Sequence, residues 1–232
     1  MVVQTVTVPG ETPELLALAA TSDLVAGVVG WADLTEPGLP DRIAALTAAP
    51  GGDKLVGLRH QVQNEPDPEW LTRADVLRGL AAVADAGLAQ LAGRDDKVVG
   101  QAARAAAAVP DLLFVLDHLG KPPIASGSVQ PWARDLRRLA ALPNTAGKLS
   151  GLVTEADRNL WQVGDLRPYT DTALLAFGPA RMMFGSDWPV CTLAASYGEV
   201  LQAARDLTAD LSEAEREAIF AGTATRLYRL RR

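Results

Sequence analysis

Asp187 follows the apolar run Met182-Met183-Phe184-Gly185 by way of Ser186, and His118 follows Leu112–Leu116 by way of Asp117. A carboxylate at the end of a buried strand, in weakly polar surroundings, is a base able to take a proton from water. An imidazole at a neighbouring strand end can move a proton near neutral pH or polarise a carbonyl. Each residue also has a plainer reading. Asp187 suits a helix cap or a loop pin equally well, and His118 suits a buried histidine satisfied by backbone groups.

Other polar side chains fall at strand ends in the same way. Leu55–Val62 carries Arg59, His60 and Gln61, and Thr145–Leu152 carries Lys148 and Ser150. Neighbours on a strand face opposite sides, so at most one of Arg59 and His60 can point inward. His60 reads as structural or substrate-contacting, and Arg59 as a substrate contact. Lys121 and Lys148 are placed to stabilise a developing oxyanion, with Lys148 needing a partner if it points into a barrel. Trp188 could wall a pocket, whereas Trp31, Trp70, Trp132 and Trp161 read as packing residues. Cys191, the single cysteine, reads as a small packing residue.

The ligand inventory is thin. There is no His-x-His, no cysteine cluster and no His-x-x-x-His, while a catalytic zinc usually takes three protein ligands. His60, His118 and Asp187 are the conceivable set. A divalent metal such as zinc is not favoured, and no cofactor is expected.

The elements that must position these groups alternate regularly. Strands are predicted at Val2–Val8, Val25–Trp31, Leu55–Val62, Leu88–Ala92, Leu112–Asp117, Thr145–Leu152 and Arg181–Gly185. Helices are predicted at Pro13–Ala20 (with Thr12 as its N-cap), Asp41–Ala49, Ala74–Asp85, Lys97–Ala108, Trp132–Ala141, Tyr169–Phe177, Ala195–Leu207 and Glu213–Phe220, with Thr223–Arg229 finishing the chain. Strands alternating with helices imply an α/β fold with a parallel sheet. Seven βα units without a linker, in a chain of 232 residues, suit one TIM-type (β/α) barrel domain over residues 1–232. No Gly-rich phosphate loop follows a strand, which weakens a nucleotide-binding reading.

Net charge is −6, so nothing favours nucleic acid or an anionic membrane surface. No signal peptide is recognised, and no apolar run reaches the roughly 18 residues of a membrane span. With one cysteine, a cytoplasmic home is expected, with a small-molecule partner. Homo-oligomerisation is left open.

Four stretches in order carry a resemblance: Lys54-Leu55-Val56-Gly57-Leu58-Arg59-His60-Gln61-Val62, Val115-Leu116-Asp117-His118-Leu119-Gly120-Lys121-Pro122, Lys148-Leu149-Ser150-Gly151-Leu152 and Met183-Phe184-Gly185-Ser186-Asp187-Trp188-Pro189. Together they resemble the amidohydrolase-related hydrolases of the sugar-lactonase kind, such as L-fuconolactonases and pyrone-dicarboxylate lactonases, over about Val2 to Leu230. The resemblance implies a (β/α) barrel, hydrolysis of a lactone, Asp187 as the base that activates water, and His118 as the group that polarises the carbonyl. Two departures stand out. The family begins with a strand ending in His-x-His, and this chain starts at what would be the family's second strand. The fourth unit, Ala89-Gln90-Leu91-Ala92-Gly93-Arg94-Asp95-Asp96, departs from the family's usual apolar strand ending in acidic and basic pocket residues, and no pocket residues are placed there. Seven strands cannot close an eight-stranded barrel without leaving two unpaired edges. The expectation is therefore a lactone hydrolase on an incomplete barrel. The alternatives are an impaired relative with a binding role, or a decarboxylase of the same superfamily, against which the missing His-x-His counts.

Overall fold

A computed structural model describes residues 1–92 and 96–230. Its sheet holds seven strands, all parallel and in sequence order: β1 (Val2–Val3), β2 (Val28–Gly30), β3 (Leu55–Arg59), β4 (Ala89–Ala92), β5 (Phe114–Leu116), β6 (Thr145–Leu149) and β7 (Met182–Phe184). Between them run α1 (Glu11–Ala20), α2 (Leu39–Ala48), α3 (Ala74–Asp85), α4 (Asp96–Ala108), α5 (Trp132–Ala140) and α6 (Val163–Phe177). After β7 come α7 (Tyr197–Leu207), α8 (Glu213–Glu217) and α9 (Thr223–Leu227). Each helix returns the chain to the same end of the sheet, so all strand C-termini gather on one side.

Side chains alternate across a strand, and that alternation divides the core in two. Val29, Leu91, Val115, Ala146 and Met183 form the inner cluster, closed by Tyr228. Leu58, Phe114, Leu116, Leu149 and Met182 face outward against the helices. The curl is not completed: the strand order runs from β1 to β7 with no pairing between those two. The incomplete (β/α) barrel expected from the sequence is the architecture found.

Several boundaries differ from expectation. The Val2–Val8 strand pairs only over Val2–Val3, and Val6 and Val8 lie exposed on the far side of Gln4. Thr12 is not the N-cap of α1, which begins at Glu11 after Gly10. Its hydroxyl instead accepts from the Trp31 amide at 2.7 Å and donates to the Trp31 carbonyl at 2.8 Å. That tie brings α1 so close to β2 that a Cβ on Gly30 would lie 2.4 Å from Thr12 Cγ2. α6 starts six residues before its predicted Tyr169, because Gln162 and Asp165 form a reciprocal cap, and it runs on through Pro168. Glu213–Phe220 is not a single α-helix. α8 passes into a π-helical stretch, Ala218–Gly222, that leads directly into α9. The altered fourth-unit residues 93–95 lie outside the described residues.

Candidate active site

β5 ends inside the sheet, and Asp117 follows Leu116 with the inward parity of Val115. Lys148 shares the parity of Ala146 on β6, and Arg59 ends β3. These three side chains therefore meet: Lys148 Nζ lies 3.2 Å from Asp117 Oδ1, and Arg59 Nε lies 3.3 Å from Asp117 Oδ2. Arg59 also donates to the Gln4 carbonyl at 2.9 Å. Burial opposes ionisation of Asp117, but its interactions with His118, Lys148 and Arg59 outweigh it. They hold the carboxyl well below the usual carboxylate range.

The backbone then turns sharply. His118, Leu119, Gly120 and Lys121 all have positive φ, between 50° and 71°, a conformation that strains residues other than glycine. The buried Trp132 indole pins the turn by donating to the Leu119 carbonyl at 2.7 Å. The turn folds His118 back over the strand ends. Its Nε2 lies 3.2 Å from Asp117 Oδ2 and 3.5 Å from Asp187 Oδ1, and its Nδ1 lies 2.8 Å from Ser150 Oγ.

Asp187 comes from the loop after β7, also with positive φ (55°), and its side chain is 8% exposed. It caps nothing: α7 is capped by Ser196, and the turn Val190–Leu193 has no side-chain cap. Its Oδ2 is buried and meets no hydrogen-bond donor among the described residues. Gly151 occupies the angle between the two groups. A Cβ there would come within 2.7 Å of His118 Nδ1 and 3.0 Å of Asp187 Oδ2. A glycine is required at this position, because any side chain would wedge the pair apart.

The structure thus brings Asp187, His118, Lys148 and Arg59 together at one end of the sheet. It adds Asp117, Ser150 and Gly151, to which the sequence reading gave no role. Their signal was position: each sits at or just beyond a strand end, but its partner lies on another strand. Lys121 turns away to an ion pair with Glu155, with Thr154 Oγ1 at 3.4 Å. His60 points outward, stacked on Trp70 at 4.1 Å between ring centres. Both its nitrogens are engaged, Nδ1 by the Trp31 indole at 3.0 Å and Nε2 by Glu65 at 2.6 Å. Trp188 stands 66% exposed beside Asp187. Cys191 is buried, and burial together with the Asp187 charge pushes its thiol up, which makes it a poor nucleophile. A groove of 830 Å³ between residues 62–69 and α4 and α5 holds neither Asp187 nor His118, and its arginines pair with acids: Arg104 with Glu69, and Arg134 and Arg138 with Asp135.

Comparison with known proteins gives consistent matches. The family model for amidohydrolases (amidohydrolase 2) matches residues 4–230. The chain is 43% identical over 231 residues to an L-fucono-1,5-lactonase of Burkholderia multivorans, covering 95% of this chain and 77% of that protein. It is 34% identical over 236 residues to an L-fucono-1,5-lactonase of Burkholderia ambifaria, covering 100% and 80%. A crystal structure of an amidohydrolase from Burkholderia multivorans with bound zinc superposes with a TM-score of 0.92 at 42% identity, covering 99% of this chain and 83% of that one.

The residues present do not fit such an ion. His118 Nε2 and Asp187 Oδ1 supply two donors, and the third nearby carboxylate, Asp117, is held by Lys148 and Arg59. Among the described residues no group of three or more His, Cys, Asp or Glu side chains could hold a metal. The donor set is one ligand short of a firm zinc site.

Proposed function

The chain belongs to the amidohydrolase 2 family, and from that premise we propose that it hydrolyses a lactone, with Asp187 activating water and His118 polarising the scissile carbonyl. The observation that carries this reading is Asp187 Oδ2. It is a buried carboxylate oxygen without a donor, 8% of its side chain exposed, beside an imidazole. A group of that kind is rare in a stable interior unless a ligand or water completes it.

Water beside Asp187 Oδ2 gives that oxygen a proton while its own oxygen bonds to the lactone carbonyl carbon. Negative charge gathers on the carbonyl oxygen and is met by the His118 Nε2–H. The bond from the carbonyl carbon to the ring oxygen breaks, and the ring oxygen takes the proton from Asp187. The product is an open hydroxy acid, which releases its carboxyl proton to solvent.

Charge narrows the substrate. Around the site two carboxylates, Asp117 and Asp187, stand against two cations, Arg59 and Lys148, and both cations engage Asp117. Lys121 is taken by Glu155. Among the described residues no cation at the site is left over for a substrate carboxylate, which favours a neutral sugar lactone over a pyrone dicarboxylate. The two named relatives act on L-fucono-1,5-lactone by name.

A second reading, a binding protein without turnover, draws on the unpaired β1 and β7 edges, which leave the site less enclosed than a closed barrel would. Proton release from a panel of neutral 1,5-aldonolactones and a pyrone dicarboxylate separates the two. Turnover of a neutral lactone is expected, with Asp187→Asn lowering kcat by about a hundredfold or more at unchanged melting temperature. No turnover of any lactone would favour the binding protein, and full activity in Asp187→Asn would reject Asp187 as the base.

A further inference from the structure

A neutral imidazole carries one N–H, on either ring nitrogen, and which one is set by the partners each nitrogen meets. In His118 the two sides differ sharply. Nε2 faces only acceptors, Asp117 Oδ2 at 3.2 Å and Asp187 Oδ1 at 3.5 Å. Nδ1 faces the Ser150 hydroxyl at 2.8 Å, a group that can donate or accept. Ser150 is 5% exposed, and a buried hydroxyl needs such a partner. The ring itself is held in place by the close approach of Gly151.

We infer that Ser150 is a positioning residue, whose hydroxyl donates to His118 Nδ1 and so holds the imidazole in the tautomer that carries its proton on Nε2. That proton then points at the two carboxylates and at the place where the carbonyl oxygen would lie. If both nitrogens become protonated, the Ser150 hydroxyl turns and accepts from Nδ1–H, so the ring keeps its orientation through the change. Ser150 itself exchanges no proton with substrate.

The molecule contains its own reference. His60 and His118 are the only histidines, and an indole N–H can only donate. The Trp31 bond to His60 Nδ1 at 3.0 Å therefore fixes His60 as an Nε2–H tautomer too.

The test is nitrogen NMR of the full chain labelled with ¹⁵N-histidine, with the tautomers read from the signals of the neutral rings. Two signal pairs are expected, each with an unprotonated Nδ1 and a protonated Nε2. Ser150→Ala, which removes the donor to Nδ1 while Nε2 keeps its two acceptors, is expected to shift the His118 Nδ1 signal and weaken the tautomer preference, and to leave His60 unchanged. Ser150→Thr, which keeps the hydroxyl, is expected to restore the wild-type pattern. The kinetic arm rests on the hydrolase reading above: Ser150→Ala is expected to lower kcat about tenfold, the scale of one hydrogen bond, with KM little changed. The spectroscopic arm needs no turnover, so failure of the hydrolase reading and failure of this one are distinguishable. A His118 protonated on Nδ1 in the wild-type chain would overturn the inference, and so would a Ser150→Ala spectrum identical to wild type.

Discussion

Asp117 is the most heavily engaged group in the site, with Arg59, Lys148 and His118 all converging on it. Removing one partner of a buried ion pair leaves the others uncompensated and costs about 3–5 kcal/mol. Asp117→Asn is therefore expected to lower stability by about that amount in a denaturant titration. The sign with pH follows from the direction of its shift. The folded-state pKa is depressed below the unfolded value, so the native state binds fewer protons. The stability this group contributes is fully present above the unfolded value of roughly 3.9, and it is lost as pH falls through the lower folded value. Melting temperatures from pH 6 downward are expected to show a steep acid fall in the wild type below about pH 4, with part of that slope missing in Asp117→Asn. Equal slopes would mean that Asp117 is not the anion described. The gathering of Asp187, His118, Lys148 and Arg59 at one end of the sheet is legible in the sequence because each ends or flanks an apolar run. Asp117 stood in the same stretch, yet nothing local shows that a lysine on one strand and an arginine on another converge on it. Lys121 and His60 show the converse. Their positions resemble site positions, but Glu155, Glu65, Trp31 and Trp70 come from segments that only the fold brings near.

At the scale of elements, helix identity was legible and strand length was not. α3 has its predicted bounds, because its apolar period and flanks agree. The strands are shorter than their apolar runs, since an apolar residue just past a strand end can still pack without pairing. Val62 does this beyond β3 and stays buried. α6 was missed in its first turns because a proline argues against a helix interior. The reciprocal cap at Gln162 and Asp165 overrides that argument, and Pro168 lies on the exposed side. Pro168→Ala restores a backbone donor and removes the ring's clash with the preceding turn, so stability is expected to rise by about 1–3 kcal/mol. An unchanged or lower melting temperature would show that the proline is compatible with this helix after all.

For the whole molecule, the unpaired β1 and β7 edges decide where the sheet is weakest. Central strands are bonded on both sides and edge strands on one, and local opening follows that difference. Amide hydrogen exchange is expected to be slowest in β4 and β5 and fastest in β1 and β7; equal protection across the sheet would mean that something covers the edges in solution. At the opposite end from the site, the barrel interior is closed by Tyr228, whose hydroxyl is buried and whose ionisation is opposed first by burial and then by the charge of Asp117. Tyr228 follows all seven strands in the chain. A ribosome therefore releases the whole sheet before it releases the residue that stoppers it, and until then Val29, Leu91, Val115, Ala146 and Met183 line an uncovered apolar inner face of the curled sheet. Vectorial synthesis thus leaves that apolar face uncovered until α9 has been made, an interval in which it can stick to other chains.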